Sequence, residues 1–217
     1  MQDFPLFTTE HGVASIVLKE VPYKGIAYIT IQDTLQPEQL LQDCVDFCKM
    51  TGAREIYATG HPYLECYFLY TETWQMSRLR AGMGETDAVL FPVTEKNMEQ
   101  WRSLYNEKMM HIPNSATMTR ADAEKLLARG GGYFVYRGDA LLGIGIAYDE
   151  MIEAVIGLQK GAGREVMLAL CGSLSAQRVV LEVSSTNLPA VKLYEKLGFL
   201  KTGVISRWYD VLTRKNT

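Results

Sequence analysis

The second half of the chain alternates between short apolar runs and amphipathic stretches, the pattern of an α/β protein. Apolar residues repeat at every second position in the predicted strands and at i, i+3 and i+4 in the predicted helices. Between two of the strands, the turn Arg137-Gly138-Asp139 predicts a β-hairpin. The predicted elements are strands at 89–93, 133–136, 140–148, 152–158, 179–183 and 204–211, and helices at 95–110, 121–128, 164–175 and 189–197.

Residues 179–199 carry the clearest local signals in the chain. The apolar, β-branched run Val179–Val183 predicts a buried strand, and the Ser-Ser-Thr-Asn sequence at 184–187 supplies turn and N-cap residues. Apolar side chains within 190–197 recur at i, i+3, i+4 and i+7, which indicates one buried helix face. Gly198 followed by the apolar Phe199 is typical of a left-handed helix stop.

The first part of the chain predicts a strand at 26–31, a helix at 39–50, a strand at 55–59 and a β-like run at 67–76. This order repeats the last part of the main region, and either a degenerate half-copy or convergent α/β patterning accounts for it. A short polar segment with two glycines at 81–87 predicts a linker. We therefore expect an accessory α/β domain at 1–80 and a main domain at 88–217.

The charge balance narrows the classes of partner. There are 22 Lys and Arg residues against 25 Asp and Glu, a formal net charge of −3, and the basic residues are scattered. This distribution does not indicate nucleic-acid binding and slightly favours a cationic substrate. Apolar runs fall short of the roughly 20 residues of a membrane helix, and Met1-Gln-Asp-Phe-Pro lacks the basic start of a signal peptide. We expect a cytoplasmic protein without a membrane partner.

The cysteines and histidines do not form a metal-binding pattern. Cys44, Cys48, Cys66 and Cys171 lie within apolar stretches, without Cys-x-x-Cys spacing or a nearby pair of histidines. Buried, reduced thiols are the expected state of such residues. The histidines are isolated in sequence, so we assign no metal.

Several residues of the 179–199 stretch closely resemble the C-terminal motif of the GNAT superfamily of acyl-CoA-dependent N-acyltransferases. They are Asn187, Ala190, Leu193-Tyr194-Glu195 and Gly198-Phe199. The preceding Leu181-Glu182-Val183 is similar to the bacterial enzymes that acetylate the N-termini of ribosomal proteins. The resemblance covers roughly Ala88 to Val211. It implies an α/β (α+β) fold, in which helices flank a mixed, mainly antiparallel central sheet. The smaller N-terminal α/β domain that precedes it would resemble a degenerate half-GNAT, unless its pattern is convergent.

The resemblance implies an N-acetyltransferase with acetyl-CoA as co-substrate. Its acceptor would be a primary amine, of a small molecule or a peptide, that attacks directly in a ternary complex. The sequence contains no evident activated nucleophile, in agreement with direct transfer. The alternative is a catalytically weak GNAT-fold module that binds acyl-CoA or regulates, which the irregular glycine loop and the added N-terminal domain favour. The identity of the amine and the oligomeric state are left open.

The loop from Gln159 to Arg164, which contains Lys160, Gly161, Ala162 and Gly163, stands where a GNAT acyltransferase has its pyrophosphate-binding loop. The usual pattern is Gln/Arg-x-x-Gly-x-Gly/Ala. Aligning Gly161 and Gly163 with its glycines puts Leu158 at the Gln/Arg position, whereas starting from Gln159 puts Ala162 and Arg164 on the glycine positions. Lys160 and Arg164 either compensate by direct charge or are two solvated cations beside a turn.

The resemblance also implies how the coenzyme arm is held. Backbone N–H groups of the strand Ile156-Gly157-Leu158 would bind the thioester carbonyl and pair with pantetheine. Asn187 and Ala190 would lie beside the coenzyme at the start of the next helix. Asn187 is in addition a good N-cap residue, and the two roles are compatible.

Acyl transfer to an amine requires a proton acceptor, because a primary amine titrates near 10 and is mostly protonated at pH 7. The resemblance to the ribosomal-protein acetyltransferases implies that Glu182, on a predicted interior strand, is this base. Glu153, a water chain, or a purely structural ion pair or hydrogen bond of Glu182 are the alternatives. The resemblance implies that Tyr194 faces the sulfur. Because a phenol near 10 is a weaker acid than a thiol near 8.5, Tyr194 would act as a hydrogen-bond donor that completes proton transfer late. The segment 109–117, with its two methionines, would form part of the acceptor wall.

Overall fold

The structure is a computed structural model that describes residues 5–215. The chain divides into two compact units. Unit 1 comprises Met1–Thr73 and Val204–Thr217, and unit 2 comprises Trp74–Gly203. Within the described residues, no helix is long and apolar enough to cross a membrane.

Unit 1 has a sheet covered on one face by a long helix. Its elements are β1 (Leu6–Thr9), β2 (Gly12–Val17), α1 (Val21–Lys24), β3 (Ile26–Thr34), α2 (Pro37–Met50), β4 (Glu55–Thr59), a 3-10 turn (Pro62–Cys66) and the first part of β5 (Tyr67–Leu79). β1, β2 and β3 pair antiparallel, and β3 pairs parallel with β4. The final strand, β11 (Leu200–Arg214), pairs antiparallel with β4 through Tyr209 and Asp210.

Helix α2 buries its apolar stripe against this sheet. Leu40, Leu41, Cys44, Val45 and Cys48 are the buried helix residues, at the i, i+4 spacing that the sequence predicts. Ile29, Ile56 and Tyr209 belong to the same core, so strands from both ends of the chain enclose it. Burial raises the pKa of the Cys44 thiol to about 12 and that of Cys48 to about 11, so both remain protonated at neutral pH.

Unit 2 contains the remaining elements. They are β6 (Val89–Pro92), α3 (Met98–Met109), α4 (Arg120–Arg129), β7 (Gly132–Arg137), β8 (Ala140–Tyr148), β9 (Met151–Gly157), α5 (Gly163–Ser173), β10 (Arg178–Ser184) and α6 (Leu188–Lys196). The strand order is β5-β10-β9-β8-β7-β6. β6 to β9 pair antiparallel, and β9 pairs parallel with β10. The predicted mixed, mainly antiparallel sheet flanked by helices is confirmed.

The two faces of this sheet carry separate cores. α5 and α6 pack on one face with Leu181 and Val183 of β10. α3 and α4 pack on the other face, where Trp101 is fully buried against Ile144 and Ile156. We call these the α5 face and the α3/α4 face.

Glycines allow α5 to approach its face of the sheet closely. A Cβ at Gly143 would overlap the Ile156 carbonyl oxygen and lie 2.6 Å from Val166 of α5, and one at Gly145 would collide with Leu170 of α5. Only a residue without a side chain fits at such points. α5 is therefore pressed onto β8, and its first turn is brought to the end of β9.

The division into units differs from the predicted domain boundaries. Residues 81–87 lie within unit 2, where Met83 is buried in the core of the α5 face, so they are not a free linker. Trp74–Leu79 of β5 also belong to unit 2, whereas the end of β11 belongs to unit 1. A strand that starts in one unit and ends in the other has no break in its apolar pattern, so this division cannot be read from the sequence.

Met76 and Leu79 test this division within a single strand. Met76 is 1% exposed and lies in the unit 2 core, whereas Leu79 is 58% exposed. Met76→Ala should lower the free energy of unfolding by about 2–5 kcal/mol, the usual effect of a large-to-small core substitution. Leu79→Ala, the matched control, should change it by less than about 0.5 kcal/mol. Urea denaturation measures both, and equal effects would contradict the assignment of β5.

Candidate active site

The parallel ladder between β9 and β10 stops early. Met151 pairs with Val180 and Ile152 with Leu181, and the Val180 N–H donates to the Glu150 carbonyl at 2.9 Å. β9 continues to Gly157 and β10 to Ser184 without further pairs among the described residues. A gap therefore opens between the two strands toward their carboxyl ends.

A β-bulge at Glu153 separates the strands. Ala154 pairs with Ile146 of β8 and Ile152 pairs with Ala147, so Glu153 is the extra residue. A bulge bends the strand and increases its twist. It also changes the face that each residue occupies, since Ile152 lies in the core of the α5 face and Ala154 in that of the α3/α4 face. The bulge thus turns β9 away from β10.

One hydrogen bond determines which backbone amides of β9 point toward the gap. The Leu158 N–H donates to the Leu142 carbonyl of β8 at 2.9 Å. Because successive amides of a strand point to opposite sides, the Ile156 amide also points toward β8, and those of Val155 and Gly157 point toward the gap. Of the expected amides at 156–158, only that of Gly157 is available, and the sequence analysis missed Val155.

The loop at 158–162 leads into an uncapped helix N-terminus. Gly161 has φ 87°, and a Cβ there would meet nothing within 4 Å. Ala162, the N-cap residue, makes no side-chain capping bond, so the first-turn N–H groups of α5 have no side-chain cap. A Cβ at Gly157 would lie 2.9 Å from the Gly163 nitrogen, which explains the glycine at the end of β9. This geometry offers oriented N–H donors and a partial positive charge to an anion.

Charged side chains surround this helix end. Arg164 pairs with Glu165 at 3.0 Å, and Arg137 pairs with the same carboxylate at 2.9 Å. A hydrogen bond from Thr86 and these arginines hold the pKa of Glu165 below its usual value. Among the described residues, Lys160 has no ion-pair partner. The sequence analysis identified Lys160 and Arg164 but missed Arg137, which is distant in sequence.

Asn187 is the N-cap of α6. Its side-chain oxygen accepts a hydrogen bond from the Ala190 N–H at 3.4 Å, and its carbonyl accepts one from Val191 at 3.0 Å. The capping role expected from the sequence is therefore present. It places the start of α6 directly after the unpaired end of β10.

A Schellman motif fixes Tyr194 on α6. The Phe199 N–H donates to the Tyr194 carbonyl, and the Gly198 N–H donates to the Glu195 carbonyl, both at 2.9 Å. Gly198 has φ 81°, as this motif requires. The Tyr194 and Phe199 rings are 6.0 Å apart, and Arg78 donates to the Leu197 carbonyl at the helix end. The Gly-Phe stop read from the sequence thus orients the tyrosine.

The Tyr194 side chain is 8% exposed and lies in the core of the α5 face. Burial, with a smaller effect from Cys171, raises the pKa of Tyr194 to about 12. We find no hydrogen-bond partner for its hydroxyl among residues 5–215. The phenol therefore keeps its proton at neutral pH and can donate it to a bound acceptor atom.

Glu182 lies on the α3/α4 face, because Leu181 and Val183 on either side of it face α5. Partial desolvation and the neighbouring Glu153 carboxylate raise the pKa of Glu182 above its usual value. Glu182 has no hydrogen-bond or ion-pair partner within residues 5–215. Glu153, by contrast, is bound by Arg129 at 2.9 Å and by the Tyr148 hydroxyl at 2.6 Å.

Tyr194 and Glu182 therefore lie on opposite faces of the sheet, on the two sides of β10. The gap between β9 and β10 connects those faces. Such an arrangement lets one reactant lie along the α5 face and the other approach from the α3/α4 face.

The segment 109–117, expected at the acceptor wall, joins α3 to α4 and is held by local hydrogen bonds. The Ser115 hydroxyl donates to the Ile112 carbonyl at 2.8 Å, and Asn106 binds both backbone groups of Met118. Asn114 has φ 58°, and both polar atoms of its side chain are enclosed without a partner. Among the described residues, no three His, Cys, Asp or Glu side chains are grouped to hold a metal ion.

Comparison with protein families identifies the fold. Residues 158–199 match the model of the acetyltransferase (GNAT) family. The chain has a GNAT fold. The matched segment includes the glycine loop, α5, β10 and α6, which are the elements that border the gap. The resemblance of the sequence to GNAT proteins is thereby confirmed.

Solved structures with the same fold are distant in sequence. A functionally unknown conserved protein from Staphylococcus epidermidis has a TM-score of 0.59 at 12% identity, over 96% of this chain and 93% of its own. A GCN5-related N-acetyltransferase from Kribbella flavida has a TM-score of 0.57 at 10% identity, over 96% and 90%. A GNAT-family acetyltransferase from Colwellia psychrerythraea has a TM-score of 0.53 at 12% identity, over 94% and 84%. No curated protein matches the sequence. These likenesses show the GNAT fold and leave the acceptor open.

Alanine substitutions at Gly198 and Gly203 test whether the Schellman motif that holds Tyr194 stabilises the fold. Gly198→Ala puts a Cβ on a left-handed residue, 3.1 Å from the Arg78 guanidinium, and should lower the free energy of unfolding by about 1–2 kcal/mol. Gly203→Ala, where φ is not positive and nothing lies within 4 Å, should be nearly neutral. Urea denaturation of both variants decides the question, and a neutral Gly198→Ala would show that the Schellman motif is dispensable.

Proposed function

We propose that this chain is an acetyl-CoA-dependent N-acetyltransferase that acts on a primary amine of a small molecule or of a peptide N-terminus. The observation that carries this proposal is the gap between β9 and β10, which ends at the uncapped N-terminus of α5. A strand ladder that stops early leaves backbone donors and acceptors available for an extended ligand. A helix N-terminus with a glycine loop in front of it suits a diphosphate.

Acetyl-CoA has the chemical groups that fit this site. Its pantetheine arm carries amides, which can pair with the Val155 and Gly157 amides along the gap. Its pyrophosphate matches the first turn of α5 and the loop from Lys160 to Arg164, where Gly161 is open to approach. Asn187 and Ala190 border the same gap from the start of α6. When bound, acetyl-CoA supplies an acetyl thioester whose C–S bond breaks as the new C–N bond forms.

Glu182 is the proposed base. It accepts the proton of the amine, directly or through a water molecule, so that the nitrogen lone pair is free to attack. Burial and the Glu153 carboxylate raise the pKa of Glu182, which makes it a stronger base than an ordinary glutamate. Glu153 is less suitable, because Arg129 and Tyr148 already occupy its oxygens.

Tyr194 is the proposed donor to the departing sulfur. With a phenol pKa of about 12 and a free thiol near 8.5, full proton transfer would run uphill by about 5 kcal/mol. Burial, however, also raises the pKa of Cys171, a thiol in the same core, to about 12. A sulfur in comparable surroundings would be matched to the phenol. Tyr194 therefore stabilises the thiolate by a hydrogen bond and can complete the proton transfer once the sulfur is enclosed.

Two variants, Gly161→Asn and Gly161→Asp, whose new side chains have the same shape, test the pyrophosphate site. Asn tolerates the left-handed backbone of Gly161 and is neutral, whereas Asp is its charged isostere. Gly161→Asn should retain most acetyl-CoA affinity, and Gly161→Asp should weaken it by roughly a factor of ten or more through charge repulsion. Titration calorimetry measures both. Equal affinities in the two folded variants would remove the loop from the coenzyme site.

The catalytic assignment is tested with Tyr194→Phe and Glu182→Gln in a screen of amines that follows thiol release. Tyr194→Phe keeps the ring packing, so turnover should fall roughly ten- to a thousandfold with coenzyme affinity nearly unchanged. In the wild type, kcat/KM should rise with pH as Glu182 loses its proton, and Glu182→Gln should flatten this rise. Glu195→Gln, on the exposed face of α6, serves as control.

Full activity in both variants would contradict the two roles. Acetyl-CoA binding without product on a broad panel of amines would instead favour a GNAT-fold module that binds acyl-CoA without turnover. The irregular loop, in which Leu158 stands where the family pattern has Gln or Arg, is the feature that makes this outcome worth testing.

A further inference from the structure

The Glu153 carboxylate, at the strand bulge, is held by two side chains, Arg129 and Tyr148. Arg129 of α4 binds one of its oxygens at 2.9 Å and the other at 3.5 Å. The Tyr148 hydroxyl donates to Glu153 Oε1 at 2.6 Å, and the Arg129 guanidinium lies 3.9 Å from the centre of the Tyr148 ring. Each of the three side chains is thus fixed by the other two.

The bulge places this carboxylate beside Glu182. Ile152 pairs with Leu181 in the last pair of the parallel ladder, and Glu153 and Glu182 are the residues that follow on the two strands. Glu182 lies on the α3/α4 face, and Glu153 reaches Arg129 of α4 on that face. The bulge thus lies where the parallel ladder ends and the two strands part.

We propose that Glu153 is a positioning residue, held by Arg129 and Tyr148, that fixes the pH at which Glu182 accepts the proton of the amine. The inference rests on the proposed function, because it assigns Glu182 as the base. Arg129 and Tyr148 restrain Glu153 and offset part of its charge. Removing Glu153 and removing Arg129 should therefore change Glu182 in opposite directions.

The electrostatic surroundings of Glu182 agree with this role. After desolvation, the Glu153 carboxylate is the neighbour that raises the pKa of Glu182. Arg178, on the same strand as Glu182, donates to Ser77 at 3.0 Å, and Arg78 of β5 donates to backbone carbonyls, among them that of Leu197 at the end of α6. Tyr148 of β8 and Arg129 of α4 both contact Glu153.

The test is an NMR titration of the Glu182 side-chain carboxyl carbon in the full chain, assigned by loss of its signal in Glu182→Gln. Glu153→Gln removes a like charge, so the Glu182 midpoint should move down by roughly 0.5 pH unit. Arg129→Gln leaves Glu153 uncompensated, so the midpoint should move up by a similar amount. Arg129→Lys keeps the charge and should shift the Glu182 midpoint less. If Arg129→Gln does not fold, Arg129→Lys is compared with the wild type instead.

Glu124→Gln, on the exposed face of α4, is the matched control and should leave the midpoint unchanged. Shifts of the same sign in Glu153→Gln and Arg129→Gln, or no shift in either, would overturn the proposal, since general loosening of the fold does not produce opposite signs. The titration needs no acceptor, so its result is independent of whether Glu182 is the base. Once an acceptor is known, the pH profile of kcat/KM should shift in the same directions.

Discussion

The early end of the β9–β10 ladder is the constraint on which the candidate site depends. Two parallel strands that stay paired satisfy each other's backbone groups and leave no room for a ligand. Here the bulge at Glu153 ends the pairing after Ile152, and the separated strands continue into two helices. The start of α5, the start of α6, Glu182 and Tyr194 all take their positions from this separation.

Much of this arrangement can be predicted from the sequence because it depends on residues that are close together in the chain. Asn187 caps α6, and Gly198-Phe199 ends it, as their neighbours in sequence predict. The bulge cannot be read in this way, since the alternation of Ile152, Ala154 and Ile156 fits an unbroken strand with one buried face. Only the pairing with β8 reveals that Glu153 is the extra residue, and this changes which amides face the gap. Arg137 and Arg129 were missed for a related reason, because their partners are distant along the chain.

Unit 1 has the same order of elements, but the bulge in its β3, at Gln32, lies beyond the segment that pairs with β4. β1, β2 and β3 form an antiparallel series, and α2 connects β3 to a parallel β4, as α5 connects β9 to β10. The β3–β4 ladder, however, runs from Ile26 and Glu55 to Thr30 and Thr59, the whole length of β4. The backbone groups that border the gap in unit 2 are thus used internally in unit 1. The repeated order of strand, helix and strand predicted from the sequence is present.

The assignment of Val204–Thr217 to unit 1 has a consequence for biosynthesis. A ribosome synthesises the chain from its N-terminus at about 5–20 residues per second. β4 therefore waits on the order of ten seconds before the strand that covers it, β11, leaves the exit tunnel. During that time β4 is an open edge, the kind of surface that recruits strands from other nascent chains. Unit 1 can close only after β11 has been synthesised, so it matures later than its early position in the chain would suggest.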